Sequence, residues 1–342
     1  MPTSPSSNAP IFLVGATATG KSAAATELAR TLAGSKGGAA ILAMDAMQVY
    51  RGADIGTSKP TAAERTEVPH GGLDLVDLNE SFDVAQYLKH AAAFLREQRE
   101  AGRRVIIVGG TGLYFRALTR GLCEAPQGPD KLRRELAALS TGQLRERLQA
   151  VDPAMLERLD ASNPRRLARA IEVKEATGRS LREWQEETPE PLVRKFTAFW
   201  IQRGKTELAR RIEARVEAMF ATGWEEEVRG LVARYGLEAV RAFPGIGYRE
   251  IAEMPREPDQ ISKLSKFPNF EEGEGAVAGP APVTLEGVKS DILVATRQYA
   301  KRQLTWFARE PTLRKVMLTG NQSLLAALRD AAPRTAVMPD LF

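Results

Sequence analysis

Cysteine is nearly missing from this 342-residue chain: Cys123 stands alone, so no disulfide can form within it. Histidine is almost as scarce, at two residues, which leaves too few ligands for a zinc site. Aromatic residues make up only 6%, and no apolar run approaches the roughly 18 residues that a membrane span needs. The opening stretch MPTSPSSNAP has no basic segment leading into an apolar one, so residues 1–9 read as a loose tail and not a signal peptide. Together these absences predict a cytoplasmic protein that does not associate with membranes.

What the chain does have is an ordinary hydrophobic content of 43% and an excess of positive charge, 48 Lys and Arg against 43 Asp and Glu. Positive charge favours polyanions. The arginines crowd between 133 and 182 and again between 203 and 215. That crowding fits either the solvated faces of charged helices or the footprint of a nucleic acid.

The most specific string is GATATGKS at 15–22, which matches the phosphate-binding pattern G-x-x-x-x-G-K-[ST]. An apolar run, Ile11-Phe12-Leu13-Val14, precedes it, and Ala/Leu-rich helical sequence follows. A strand entering a Gly-rich turn and a helix N-terminus gathers backbone amides and positive dipole at one point. Gly15, Ala16, Thr17, Ala18, Thr19, Gly20, Lys21 and Ser22 are therefore the candidate pyrophosphate-binding residues. Lys21 would reach a terminal phosphate and the Ser22 hydroxyl would sit on Mg²⁺, the one expected cofactor.

Further β-type runs fall at 40–44, 105–108 and 196–201, with helical stretches at about 20–33 and 83–100 between them; Asp83 is the expected N-cap of the latter. Apolar strands alternating with helices predict an α/β fold, a P-loop NTPase-like parallel sheet with helices on both faces. From 125 to 195 strand-like runs vanish, and helical pieces separated by Gly, Pro and Asn signals predict an all-helical insertion. The core is then 1–124 with 196–342, where helices return at about 205–221, 223–235 and 285–308. The Gly/Pro/Glu-rich tract 262–282 reads as a mobile surface loop.

Two other segments end strands at the edge where the phosphate loop lies. Asp45 follows Ile41-Leu42-Ala43-Met44 and reads as a magnesium ligand or helix cap, or as a general base near the transferred group. Gly109-Gly110-Thr111-Gly112 reads as a tight turn with Thr111 as N-cap, or as a ligand contact that presents its hydroxyl.

The strings GATATGKS, DAMQVYRGADIGTSKP (45–60), PHGGLDLVD (69–77), VGGTGLYFRAL (108–118), NPRRLARAIEV (163–173), GIGYRE (245–250) and ATRQYAKRQLTWF (295–307) follow one another in one order. In that order the chain resembles the bacterial tRNA dimethylallyltransferases, also called tRNA isopentenyltransferases. The resemblance implies transfer of a dimethylallyl group from dimethylallyl diphosphate to N6 of the adenosine 3′ of the anticodon. Asp45 would be the base and Thr111 its support from the facing side, while Arg215 would reach the diphosphate. Asp45, Ala46, Met47 and Gln48 would meet the flipped base. Arg133, the run Arg165, Arg166, Leu167, Ala168 and Arg169, and the run Pro244, Gly245, Ile246, Gly247, Tyr248 and Arg249 would contact tRNA, Tyr248 being available to stack. The expected state is a monomer.

The chain departs from the family pattern in places. Ala46 stands where serine is usual, Ala16 where proline is common, and Ala308 where an arginine usually follows TWF. The zinc module of the eukaryotic relatives has no counterpart. An adenylate isopentenyltransferase shares the phosphate loop but has no use for a large basic insertion. A small-molecule kinase accounts for GATATGKS but not for DAMQVYRGADIGTSKP, and a non-catalytic RNA-binding protein has no need of Lys21, Ser22, Asp45 and Thr111 together.

Overall fold

A strand covered on both faces by helices must be apolar throughout, and every residue of β1 (Ile11–Gly15) is buried. The structure, a computed structural model, describes residues 9–33, 37–254, 284–320, 322–323 and 325–327. Residues 1–8 of the expected tail and the expected loop at 262–282 lie outside the described residues.

The other strands are β2 (Ala39–Met44), β3 (His70–Gly71), β4 (Arg104–Gly109), β5 (Thr197–Gln202) and β6 (Arg314–Met317). They form one sheet in the order β3-β2-β4-β1-β5-β6, with every pairing parallel. The α/β architecture expected from the sequence is the one observed. The two edge strands have no counterpart among the apolar runs, because β3 is two residues long and β6 buries only Val316.

Side chains alternate across β1. Ile11 and Leu13 pack against Ala25, Leu28 and Leu32 of α1 (Lys21–Leu32). Phe12 points to the opposite face and meets Phe115 edge-on at 5.1 Å. On that face lie α3 (Val84–Glu100), whose Tyr87 hydroxyl donates to the Ala43 carbonyl, and α4 (Gly112–Arg120), which carries Phe115. The short α2 (Ala62–Glu67) precedes them. Asp83 does cap α3: its carboxylate accepts the Gln86 N–H at 2.9 Å, and the Gln86 side chain accepts the Asp83 N–H in return.

Register fixes where the loops emerge. Val14 pairs with Gly109 and Gly109 with Met44, so three adjacent strands end side by side, β1 one residue further on at Gly15. Gly109 is required there, since a Cβ would sit 2.0 Å from the Met44 oxygen.

Arg116–Arg194 forms a compact unit of its own, starting somewhat before residue 125. It contains α5 (Asp130–Ala138), α6 (Thr141–Val151), α7 (Pro153–Leu156), α8 (Pro164–Thr177) and α9 (Leu181–Glu186). Leu136, Leu144, Leu148, Met155, Leu167, Ala170 and Ile171 make its core. Local chemistry sets the helix ends: Asn163 caps α8 ahead of Pro164, and Gly178, at φ +74°, stops it. The sheet unit continues with α10 (Lys205–Ala221), α11 (Trp224–Tyr235), α12 (Leu237–Ala242), α13 (Tyr248–Ala252) and α14 (Leu285–Phe307). α10 and α14 pack Leu208, Ile212 and Ala300 against Ala16 and Ala18, directly behind the phosphate loop.

Candidate active site

The phosphate loop joins β1 to α1. Gly20, at φ +95°, is the residue before the helix, and Ala18 also adopts a left-handed backbone at φ +61°, which residues with a Cβ seldom do. Side chains hold the loop's carbonyls from behind. The buried Thr19 hydroxyl and the Lys21 ammonium both donate to the Ala16 oxygen, at 2.9 and 2.7 Å. Arg211 Nε donates to the Ala18 oxygen and Arg203 Nε to the Thr19 oxygen, each at 2.9 Å. With those carbonyls fixed, the peptide planes of the loop are set before any anion arrives.

Asp45 is the first residue beyond β2. Its carboxylate accepts the Met47 N–H at 2.9 Å, a local turn that aims the side chain. Thr111 leaves β4 beside it, and its hydroxyl accepts the Ala46 N–H at 3.1 Å. Gln48 donates to the Thr57 and Ser58 oxygens at 3.0 and 3.1 Å, closing the 45–58 loop on itself. Lys59, 8% exposed, secures the same loop through Asp54 at 2.7 Å and Asp74 at 2.6 Å. Glu227 of α11 accepts the N–H groups of Asp54, Ile55 and Gly56 and the hydroxyl of Tyr248.

These segments surround a cavity of about 290 Å³. Its polar walls include Lys21, Ser22, Asp45, Gln48, Arg215 and Tyr299; its apolar walls include Met47, Val216, Met219, Trp224 and Ile246. A second cavity, about 420 Å³, shares Lys21, Ser22, Ser58 and Arg215 and adds Gly20 and Arg211. Burial lowers the Lys21 ammonium to about 8, with the Arg215 charge adding to the shift and Asp45 opposing it. Burial also lowers Arg215, again against Asp45. The Tyr299 phenol is pushed up by burial and then by the Asp45 charge. The site therefore sets two desolvated cations against one carboxylate, an arrangement suited to a polyanion beside a group that gives up a proton.

Of the residues expected at the phosphates, Thr17, Lys21, Ser22 and Arg215 line the first cavity, and Ala18 and Gly20 line the second. Asp45, Met47, Gln48, Pro244, Gly245 and Ile246 also reach the first cavity. Thr111 is not among its walls; it acts on the backbone next to Asp45. Tyr248 needs correction. Its ring is fully buried between Trp224 and Phe243, and its hydroxyl is committed to Glu227, so it cannot stack on a base. Leu167 is likewise a core residue of the helical unit. Arg169 pairs with Glu172 at 3.0 Å and donates to the Ala125 and Pro126 oxygens, holding the segment ahead of α5. Arg165, Arg166 and Arg249 are exposed, and Arg133 pairs with Asp130.

Some site residues were not legible. Arg211, Tyr299 and Gln303 sit in charged helical sequence, and Arg203 in the short link between β5 and α10; nothing local separates them from solvated neighbours, and only their contacts with the phosphate loop and its cavity single them out.

Fold and site together define a P-loop α/β protein with a carboxylate facing two buried cations at the end of its sheet. The IPP transferase family model matches residues 48–310, and the chain belongs to that family. It is 44% identical over 307 residues to a tRNA dimethylallyltransferase of Methylacidiphilum infernorum, covering 90% of this chain and 85% of that one. A tRNA isopentenylpyrophosphate transferase of Bacillus halodurans, known from its crystal structure, is 29% identical with a TM-score of 0.60, covering 95% of this chain and 94% of that one. A eukaryotic dimethylallyltransferase acting on tRNA shares the fold at a TM-score of 0.70 and 22% identity, over 90% of this chain and 74% of that one. The family match starts after GATATGKS, at residue 48.

Proposed function

We propose that this chain transfers a dimethylallyl group from dimethylallyl diphosphate to N6 of an adenosine in tRNA, the one 3′ of the anticodon, and releases diphosphate. The observation that carries the reading is the register of β1, β4 and β2, which brings the Lys21 and Asp45 loops to one cavity. Membership of the IPP transferase family and the named relatives support it.

The exocyclic amine of adenine is a weak nucleophile, because its lone pair is delocalised into the ring. In the proposed reaction N6 bonds to C1 of the prenyl group as the C1–O bond to diphosphate breaks. Asp45 takes the N6 proton, and its charge also favours the allylic carbon as positive charge develops there. Lys21, Arg215 and the loop amides hold the diphosphate and stabilise its growing charge. Met47, Met219, Trp224 and Ile246 offer the alkyl chain an apolar wall. Thr111 fixes the backbone beside Asp45.

Mg²⁺ suits this donor set, because it binds through few protein oxygens and keeps water and phosphate as its remaining ligands. The Ser22 hydroxyl would hold it, and the ion would supply charge neutralisation on the diphosphate. The exposed Arg165 and Arg166 of α8 are the proposed tRNA contacts in the helical unit. Among the described residues no helix is long and apolar enough to cross a membrane; a cytoplasmic monomer is the proposed working form.

The test is prenyl transfer from labelled dimethylallyl diphosphate with Mg²⁺, to unmodified tRNA and to AMP in parallel. Label in tRNA alone is the expected result. Label in AMP moves the protein to the free-nucleotide branch, and ATP turnover with no label in either would make it a kinase.

A further inference from the structure

We propose that Gln303 is a positioning residue for the transfer, whose amide ties the phosphate loop to the Gly110-Thr111 loop and so sets the spacing between the leaving diphosphate and Asp45. The inference rests on the transfer reading above. Gln303 lies on α14 and is 6% exposed, although its helical neighbours Lys301 and Arg302 are exposed. Its Oε1 accepts the Thr17 N–H at 2.8 Å, and its Nε2 donates to the Gly110 oxygen at 3.0 Å. One partner is a backbone donor and the other a backbone acceptor, so the amide fits only one way round.

The last ladder pair of β1 and β4 is Val14 with Gly109. Beyond it β1 and β4 form no further ladder pair, so their pairing does not fix the loops that follow. Gln303 bridges them just past that point. Gly110 has no side chain because a Cβ there would lie 2.1 Å from the Gln303 Nε2. The connection continues to the base: Thr111, next in the chain, accepts the Ala46 N–H, and the adjacent Asp45 is aimed by the Met47 N–H. The phosphate loop, Gln303, Gly110-Thr111 and Ala46 are thus joined by hydrogen bonds and adjacent peptide links, and the series ends beside Asp45. Reacting atoms must meet at roughly 3–3.5 Å, and displacement by about 1 Å costs on the order of 100-fold in rate. A residue that holds this spacing affects the chemical step more than ground-state binding.

The experiment compares wild type, Gln303→Ala and Gln303→Glu in steady-state prenylation of tRNA, with donor KM, tRNA Kd and thermal unfolding measured on each. For Gln303→Ala the expected result is a kcat lower by about 30–100-fold, with donor KM and tRNA Kd within about 3-fold. Gln303→Glu keeps the acceptor for Thr17 but turns a carboxylate oxygen on the Gly110 carbonyl, and only its protonated form restores the donor. Its kcat relative to wild type should therefore rise as pH falls from about 8.5 to about 5.5, while the Gln303→Ala ratio stays flat. Lys21, Asp45, Arg215, Tyr299 and Arg302 line the same cavity in all variants, so the ratio to wild type isolates position 303. An unchanged kcat, a loss confined to donor KM, or a flat Gln303→Glu ratio would each overturn the proposal. If Gln303→Ala does not fold, the Gln303→Glu ratio decides alone. A wild type that prenylates no tRNA overturns the transfer reading instead.

Discussion

Replacing Asp45 with asparagine separates its charge from its shape. In Asp45→Asn the side-chain oxygen can still accept the Met47 N–H now made at 2.9 Å, and Thr111 still holds the Ala46 N–H, so the loop keeps its course. What disappears is the proposed proton acceptor and, among the described residues lining the cavity, the carboxylate beside Lys21 and Arg215. A positioned base contributes about 10²–10⁴-fold, or about 3–5 kcal/mol at 1.36 kcal/mol per decade. The charge change acts the other way on the donor: two cations left without their opposing carboxylate attract a diphosphate more strongly. The expected result is thus a split, with kcat down by about 10²–10⁴ and donor KM unchanged or lower. Single-turnover transfer to tRNA, with donor binding by calorimetry, reads both halves. Transfer above about a tenth of the wild-type rate would refute the base assignment, since it lies outside the range for loss of a positioned base. A raised donor KM with unchanged kcat would instead make Asp45 a donor-binding or metal-binding group.

The other predictions follow from the same residues. Lys21 titrates near 8 in the folded protein against an ordinary 10.5. Between those values the unfolded chain binds more protons than the folded one, so unfolding free energy should rise with pH there, and it should do so less in Lys21→Met; urea titrations across the window check this. Donor affinity should fall above about 8 in the wild type as the ammonium deprotonates, and a pH-independent donor Kd there would contradict the site. Tyr248→Phe removes a buried hydrogen bond to the Glu227 carboxylate and should cost about 1.5–3 kcal/mol of stability with tRNA affinity intact; a stacking tyrosine would give unchanged stability. Arg166→Ala should weaken tRNA binding and reduce the slope of log K against log salt by about 0.7–0.9, and an unaltered slope would remove that side chain from the RNA contacts.

How legible each feature was depended on how local its cause is. β1 and the phosphate loop could be read because an apolar run followed by G-x-x-x-x-G-K-S states both the strand and the turn within a dozen residues. Asp83 could be named as an N-cap because capping is decided within one turn of helix. β6 could not, since Arg314–Met317 has one buried residue and owes its strand form to pairing with β5. Tyr248 was misread because the resemblance set its whole segment against tRNA, whereas Trp224 and Phe243, from outside that segment, enclose the ring.

The site itself shows the same limit more sharply. Arg211 and Arg215 are one helical turn apart on α10, so periodicity places them on one face, yet periodicity cannot say what that face meets. Arg211 donates to the Ala18 carbonyl and lines only the second cavity, while Arg215 lines both cavities beside Lys21. Their surroundings differ because α10 packs on the phosphate loop through Leu208 and Ile212. A kinase could use every one of these cations. What separates the readings is the remaining wall, where Asp45 faces the cations and Met47, Met219, Trp224 and Ile246 complete the enclosure. A phosphoryl group presents charged oxygens on every side and gains nothing from such apolar surface, whereas an allylic chain leaving a diphosphate has charge at one end and hydrocarbon at the other.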